Sequence, residues 1–296
     1  MLTSANLEHV EVPEEDLVSL ARSSLAIRET VLRNIHSAQS GHPGGSLSCI
    51  DILVALYDRV LRHDPARPDW PERDFFILSK GHAAPALYAT LAHYGYFDPS
   101  ILPTLRRLGS PLQGHPVRGN VPGVECSMGE LGIGLPVGIG IGLGMKLDHK
   151  PNHVYVLLGD GECQEGSVWE AAMAASHYRL DNITAIIDRN GLQIDGSTEK
   201  VMGLEPLFAK WEAFGWQVIE IDGTDVYQVI CALQTAKKLL RKPTAIIAYS
   251  VKGAGVQYME HVQKFHGTPP TDDEYDEALR QLQAARETME ARDGNE

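Results

Sequence analysis

Val154-Tyr155-Val156-Leu157-Leu158-Gly159-Asp160-Gly161 is the stretch on which the fold turns. A continuous apolar run stops at a Gly-Asp-Gly turn. A strand that is apolar on both faces belongs in a sheet covered on both sides. Val168–His177 follows with helical periodicity, and Ile183–Ile187 is a second run of the same kind. Trp216–Ile221 and Thr244–Ala248 are two more, with a helix over Asp225–Leu240 between them. This alternation predicts an α/β fold: a doubly wound parallel sheet with helices on both faces.

Nearer the N-terminus, Leu17, Leu20, Ala21, Leu25, Leu32 and Ile35 share one face of a helix over Asp16–His36. Ser40 to Gly45 reads as a turn and Ser48–Leu61 as a second helix. A proline-rich loop leads to a short strand, Phe75–Leu78, and a helix begins near Pro85. Residues 271–290 form a polar helix. The expected organisation is an N-terminal arm over residues 1–15 and one domain over 16–296, without repeats.

Asp160 follows one buried strand and Asn190 follows the next, 30 positions later, which is the length of one strand–helix–strand unit. Both therefore stand at the carboxyl ends of neighbouring parallel strands, where sheets of this class bind ligands. A carboxylate and an amide oxygen meeting there suit a hard cation such as Mg²⁺, with a backbone carbonyl, water and phosphate oxygens completing an octahedron. Gly161 admits a phosphate close to the backbone, and the helix after it aims amide N–H groups at the anion.

The chain has 296 residues, a formal net charge of −13 and 43% hydrophobic residues. Such acidity argues against sequence-independent nucleic-acid binding and fits poorly with an anionic membrane surface. The richest apolar stretch, Leu131–Leu147, is broken by glycines and a proline, so no transmembrane helix is expected. The acidic N-terminus does not read as a signal peptide. Cys49, Cys126, Cys163 and Cys231 are scattered and read as reduced cytoplasmic thiols.

Of twelve histidines, three directly follow a loop glycine, at Gly41-His42, Gly81-His82 and Gly114-His115, and His266 precedes Gly267. Histidine donates to phosphate or sugar hydroxyls and exchanges protons near neutral pH. His9, His63, His149, His153 and His261 are expected on the surface. The alternating glycines of Gly138-Ile139-Gly140-Ile141-Gly142 lack the dinucleotide spacing, and no acidic residue closes a second strand about 20 residues on. They are expected instead to let a helix pack closely beside a cofactor.

Taken together and in order, Ser40-Gly41-His42-Pro43-Gly44, Ser79-Lys80-Gly81-His82, Gly114-His115-Pro116, Gly129-Glu130-Leu131-Gly132, Gly159 through Gly166, Ile194-Asp195-Gly196 and Phe265-His266-Gly267 resemble the successive motifs of the transketolase family. The resemblance runs from Asp16 to Leu282. It implies the thiamine-diphosphate-binding fold of the diphosphate-type domain, and transfer of a two-carbon ketol unit from a ketose to an aldose, with sugar phosphates as substrates. It also implies bound thiamine diphosphate with Mg²⁺, or another divalent cation such as Ca²⁺ or Mn²⁺.

The resemblance further assigns roles. Asp160 and Asn190 hold the metal through side chains and Leu192 through its carbonyl. Gly161, His82 and His266 contact the diphosphate, and Gly129, Glu130 and Leu131 lie by the aminopyrimidine. His42, His115 and His266 line the substrate channel as catalytic residues, and Glu165 and Glu170 stand at a subunit interface. The pyrimidine-binding domain of such enzymes would come from a separate C-terminal subunit, in an α2β2 heterotetramer located in the cytoplasm. Glu130 stands where a small residue is usual, Ile133 where glutamine is common, and Thr224 where histidine is usual. These departures bear on the substrate, and a sulfosugar or branched ketose is the alternative. A non-catalytic scaffold on the same fold is the third reading.

Overall fold

The computed structural model describes residues 2–3 and 7–293. The elements run β1 (Leu2–Thr3), α1 (Glu14–Ala38), α2 (Pro43–Leu47), α3 (Ile50–Ala55), β2 (Phe75–Leu78), α4 (Ala84–His93), α5 (Gly134–Leu147), β3 (Val154–Gly159), α6 (Gly166–His177) and β4 (Ile183–Arg189). After a small hairpin, β5 (Leu192–Gln193) and β6 (Gly196–Ser197), come α7 (Thr198–Val201), α8 (Leu207–Ala213), β7 (Gln217–Asp222), α9 (Val226–Lys238), β8 (Thr244–Tyr249) and α10 (Asp272–Asp293). Among the described residues the main sheet has the order β1-β7-β8-β4-β3-β2, and every pairing in it is parallel.

Strand residues divide between two cores by alternation, as a sheet covered on both faces requires. Tyr155, Leu157, Ile186, Ile246 and Ala248 join α1, α3, α4 and α9 on one side. Val154, Val156, Leu158, Ala185, Ile187 and Ile247 join α5, α6 and α8 on the other. The expected doubly wound sheet is therefore the observed one. The glycine-rich stretch forms α5, and its glycines bring it close to the sheet: a Cβ on Gly138 would lie 2.6 Å from a methyl of Val156. The close packing expected of that helix is met, against β3.

Some boundaries differ. The turn expected at Ser40–Gly45 contains α2, with His42 as the residue before its first turn. The helix expected over Ser48–Leu61 is α3 followed by a π-helical turn over Leu56–Val60. Of the arm expected over 1–15, residues 1 and 4–6 lie outside the described residues. Leu2–Thr3 add a strand to the sheet edge, and Leu7, Val10 and Val12 pack on the core. That stretch is docked because it has apolar side chains to bury. His153, expected at the surface, is buried, with Nε2 2.9 Å from the Thr184 hydroxyl. His63 is half-buried, stacked on Tyr96, and bonded through Nε2 to the Tyr57 carbonyl at 2.7 Å.

Candidate active site

Four neighbouring strands, β2, β3, β4 and β8, deliver their carboxyl ends to one cleft of about 370 Å³. β2 ends at Leu78 and leads to Lys80 and His82. β3 leads to Asp160, β4 to Asn190, and β8 to Lys252. His42 and His266 come from the loops on either side. The cleft is thus built where the parallel sheet leaves its strand ends open.

Asp160 is 2% exposed. Its Oδ2 accepts from the Gly191 amide at 2.6 Å and from Arg189 Nη1 at 3.0 Å, and its Oδ1 accepts from the Gly161 amide at 2.8 Å. Gly191 lies between Asn190 and Leu192, so this bond ties Asp160 to the loop that carries both other expected metal ligands. Asn190 is oriented by donating from Nδ2 to Asp188 Oδ2 at 3.0 Å, and its Oδ1 accepts from the Leu192 amide at 3.1 Å. Oδ1 of Asp160, Oδ1 of Asn190 and the Leu192 carbonyl are hard oxygen donors with lone pairs to spare, and all three residues line the cleft. Burial, then the neighbouring Asp188, raises the Asp160 pKa, against the pull of Gly191 and Arg189. No cluster of three or more His, Cys, Asp or Glu suited to a metal occurs among the described residues; the expected set holds a single carboxylate.

Beneath the cleft lies a buried polar network. Lys80 Nζ pairs with Asp188 Oδ2 at 2.5 Å and donates to the Gly45 carbonyl at 2.7 Å. Ser48 and Ser250 donate to the same aspartate. Burial pushes the Asp188 carboxyl up, but Lys80 and the two hydroxyls outweigh it and hold it below the usual range. Glu162, 3% exposed, accepts from Ser79, from the Gly132 amide at 2.8 Å and from the Gly159 amide at 2.9 Å. It joins the ends of β2 and β3 to the Gly129–Gly134 loop.

The four loop histidines converge. Ring centroids of His42 and His82 are 5.2 Å apart, His42 and His266 5.7 Å, and His82 and His266 5.3 Å. His115 lines the same cleft. Burial lowers all four, His42 to about 4 and His266 to about 3, with neighbouring cations adding to the effect. All four rings are neutral at pH 7. Lys252 Nζ donates to the Leu192 carbonyl at 3.0 Å and to His266 Nδ1 at 2.8 Å, and burial lowers its pKa to about 8.

Gly129, Leu131, Gly161 and Glu165 line the cleft as expected. Glu130 is exposed and outside the lining, so it stands on the rim. Glu170 is exposed on α6, and Ile133 is exposed beside the cleft mouth. Thr224 is remote from the lining, bonded to Asp222 behind β7. Sequence reasoning missed Lys80, Asp188, Glu162, Arg189 and Lys252 as site builders. Lys80 sat inside a motif already noticed. Lys252 follows the apolar run of β8 much as Asp160 follows that of β3, and that signal was available.

Residues 21–290 match the family described as transketolase, thiamine diphosphate binding domain. The chain belongs to this family. One of the two subunits of an apulose-4-phosphate transketolase from Phocaeicola vulgatus is 43% identical over 263 residues, covering 89% of this chain and 93% of that one. A 6-deoxy-6-sulfo-D-fructose transketolase subunit of a Clostridium species is 41% identical, covering 91% of this chain and 98% of that one. A transketolase from Pichia stipitis superimposes with a TM-score of 0.84 at 34% identity, over 90% of this chain but 40% of the solved chain. This transketolase-family domain thus spans nearly the whole of the subunit-type relatives and under half of the single-chain enzyme. Among the described residues no helix is long and apolar enough to cross a membrane.

Proposed function

We propose that the chain is the diphosphate-binding subunit of a two-chain transketolase, transferring a two-carbon ketol unit from a ketose to an aldose together with a C-terminal partner that carries the pyrimidine-binding domain. The carrying observation is the tie from Asp160 to the Asn190–Leu192 loop, which gathers three oxygen donors in a cleft ringed by neutral histidines. Bound thiamine diphosphate supplies the carbanion chemistry that breaks and makes the carbon–carbon bond.

This chain's residues bind and orient. Asp160, Asn190 and the Leu192 carbonyl hold Mg²⁺, or Ca²⁺ or Mn²⁺ in its place, and so anchor the diphosphate. Gly161, His82 and His266 meet its oxygens. Gly129 and Leu131 flank the aminopyrimidine, with Glu130 at the rim. His42, His115 and His266 line the sugar channel and handle hydroxyl protons. Glu165, exposed at the cleft mouth, and Glu170 on α6 face the other subunits in an α2β2 assembly. Reduced thiols fit a cytoplasmic setting; all four cysteines are free.

The names of the subunit-type relatives speak for a donor outside the common sugar phosphates, so the donor panel includes a sulfosugar and a branched ketose phosphate. The test is ketol transfer with this chain alone, with its co-purifying partner alone, and with the two mixed. Activity is expected only in the mixture, in the presence of Mg²⁺ and thiamine diphosphate. Full activity from this chain by itself overturns the split site.

A further inference from the structure

Arg106 reaches the site from behind and does not line the cleft. Its backbone is held in the left-handed region at φ 58°, with its amide donating to the Leu112 carbonyl at 2.8 Å. The guanidinium donates from Nη1 to Ser40 Oγ at 2.8 Å and from Nη2 to His42 Nδ1 at 3.3 Å. Its Nε is buried and unpartnered among the described residues. A side chain on Gly114 would displace it, since a Cβ there would stand 3.0 Å from Nε and 3.1 Å from Cζ. A charged group kept with an unsatisfied buried donor is costly. Ser40 alone does not account for that cost.

A guanidinium has donors only and stays protonated. A ring nitrogen that accepts from it carries a lone pair and no hydrogen. The neutral ring must then hold its proton on Nε2, on the edge turned toward the cleft. We propose that Arg106 is a positioning residue that locks His42 as the Nε2–H tautomer, making His42 a hydrogen-bond donor to a sugar oxygen and barring it from acting as a base at that nitrogen. The role assigned to the donor rests on the sugar-channel reading above; the tautomer itself does not. Lys252 backs His266 Nδ1 in the same way. Among the described residues His115 is the one channel histidine with no cation donating to its ring, and the task of accepting a hydroxyl proton falls to it.

Groups facing His42 from other elements are His115, Lys252, His82 and His266 as well as Arg106. After burial, Arg106 is the largest cause holding the ring pKa near 4. The experiment is nitrogen-15 NMR of the histidine rings in the full chain, with the His42 signals assigned by their loss in His42→Gln. Wild type should show an unprotonated Nδ1 and a protonated Nε2 at pH 7. Arg106→Ala should add a detectable Nδ1–H form and move the His42 midpoint upward, toward the ordinary histidine value of about 6.5. Unchanged signals from the other histidines show that the variant is folded. A protonated Nδ1 in wild type overturns the proposal whatever the variant does, and so does an unchanged tautomer in a folded Arg106→Ala. Neither partner, cofactor nor sugar enters the measurement, so it fails or succeeds independently of the ketol-transfer assay.

Discussion

Asp160 and Asn190 reach the same loop because the register of β3 on β4 sets Gly159 against Asp188. Each residue then leaves its strand at the same height. Asp160→Ala removes the carboxylate and leaves the Gly191 amide and Arg189 without their acceptor. Mg²⁺-dependent thiamine diphosphate binding should be lost, with calorimetric titration of the purified chain as the measurement; undiminished binding refutes the metal assignment. Lys80 and Asp188 pose a stability question. Breaking a buried pair by removing one partner costs about 3–5 kcal/mol because a charge is left uncompensated. Lys80→Met should lower the urea midpoint by that equivalent, and should do so without bound cofactor.

His153 lies under the sheet edge, away from the cleft, and burial lowers its pKa to about 4. The folded state keeps it neutral, whereas the unfolded chain takes up a proton near pH 6.5. Stability is therefore full above 6.5 and lost as pH falls from 6.5 toward 4, by about 1.4 kcal/mol per pH unit. Urea midpoints between pH 7 and 5 should fall less steeply in His153→Gln than in wild type. Parallel curves would show that another group carries the acid sensitivity.

Among the elements, α5 has to lie close to β3, and Gly138 is where that distance is set. A Cβ there meets the side chain of Val156, which is fully buried and has no room to move. Gly138→Val overpacks this contact and should cost about 1–3 kcal/mol in a denaturant melt. Gly140 faces open space, and alanine there should stabilise α5 by about 0.5–1 kcal/mol through helix propensity. The opposite signs make the pair a test of which glycines are spacers. Periodicity identified the helix from its sequence but not this division, because alternating glycines read alike until one of them has a neighbour.

In the molecule as a whole, the cleft lies open at a mouth edged by Leu131, Glu165 and Ile194, all exposed. If the partner covers that mouth, Glu165→Lys should weaken association by about tenfold or more, near 1.4 kcal/mol. Sedimentation of the mixed chains measures it, and cofactor anchoring at Asp160 should persist. Unaltered association would place the interface elsewhere.

The strands, their parallel arrangement and the positions of Asp160, Asn190 and the four loop histidines were all legible along the chain. Apolar runs and their endings are local patterns, and a parallel sheet puts every strand's end on one side. It took folding in three dimensions to pair Lys80 with Asp188 beneath the cleft, to brace its rim with Arg189 and Glu162, to stand Arg106 behind His42 and to bury His153. Each of those facts depends on partners distant in the chain, brought together by packing that no spacing along the sequence encodes.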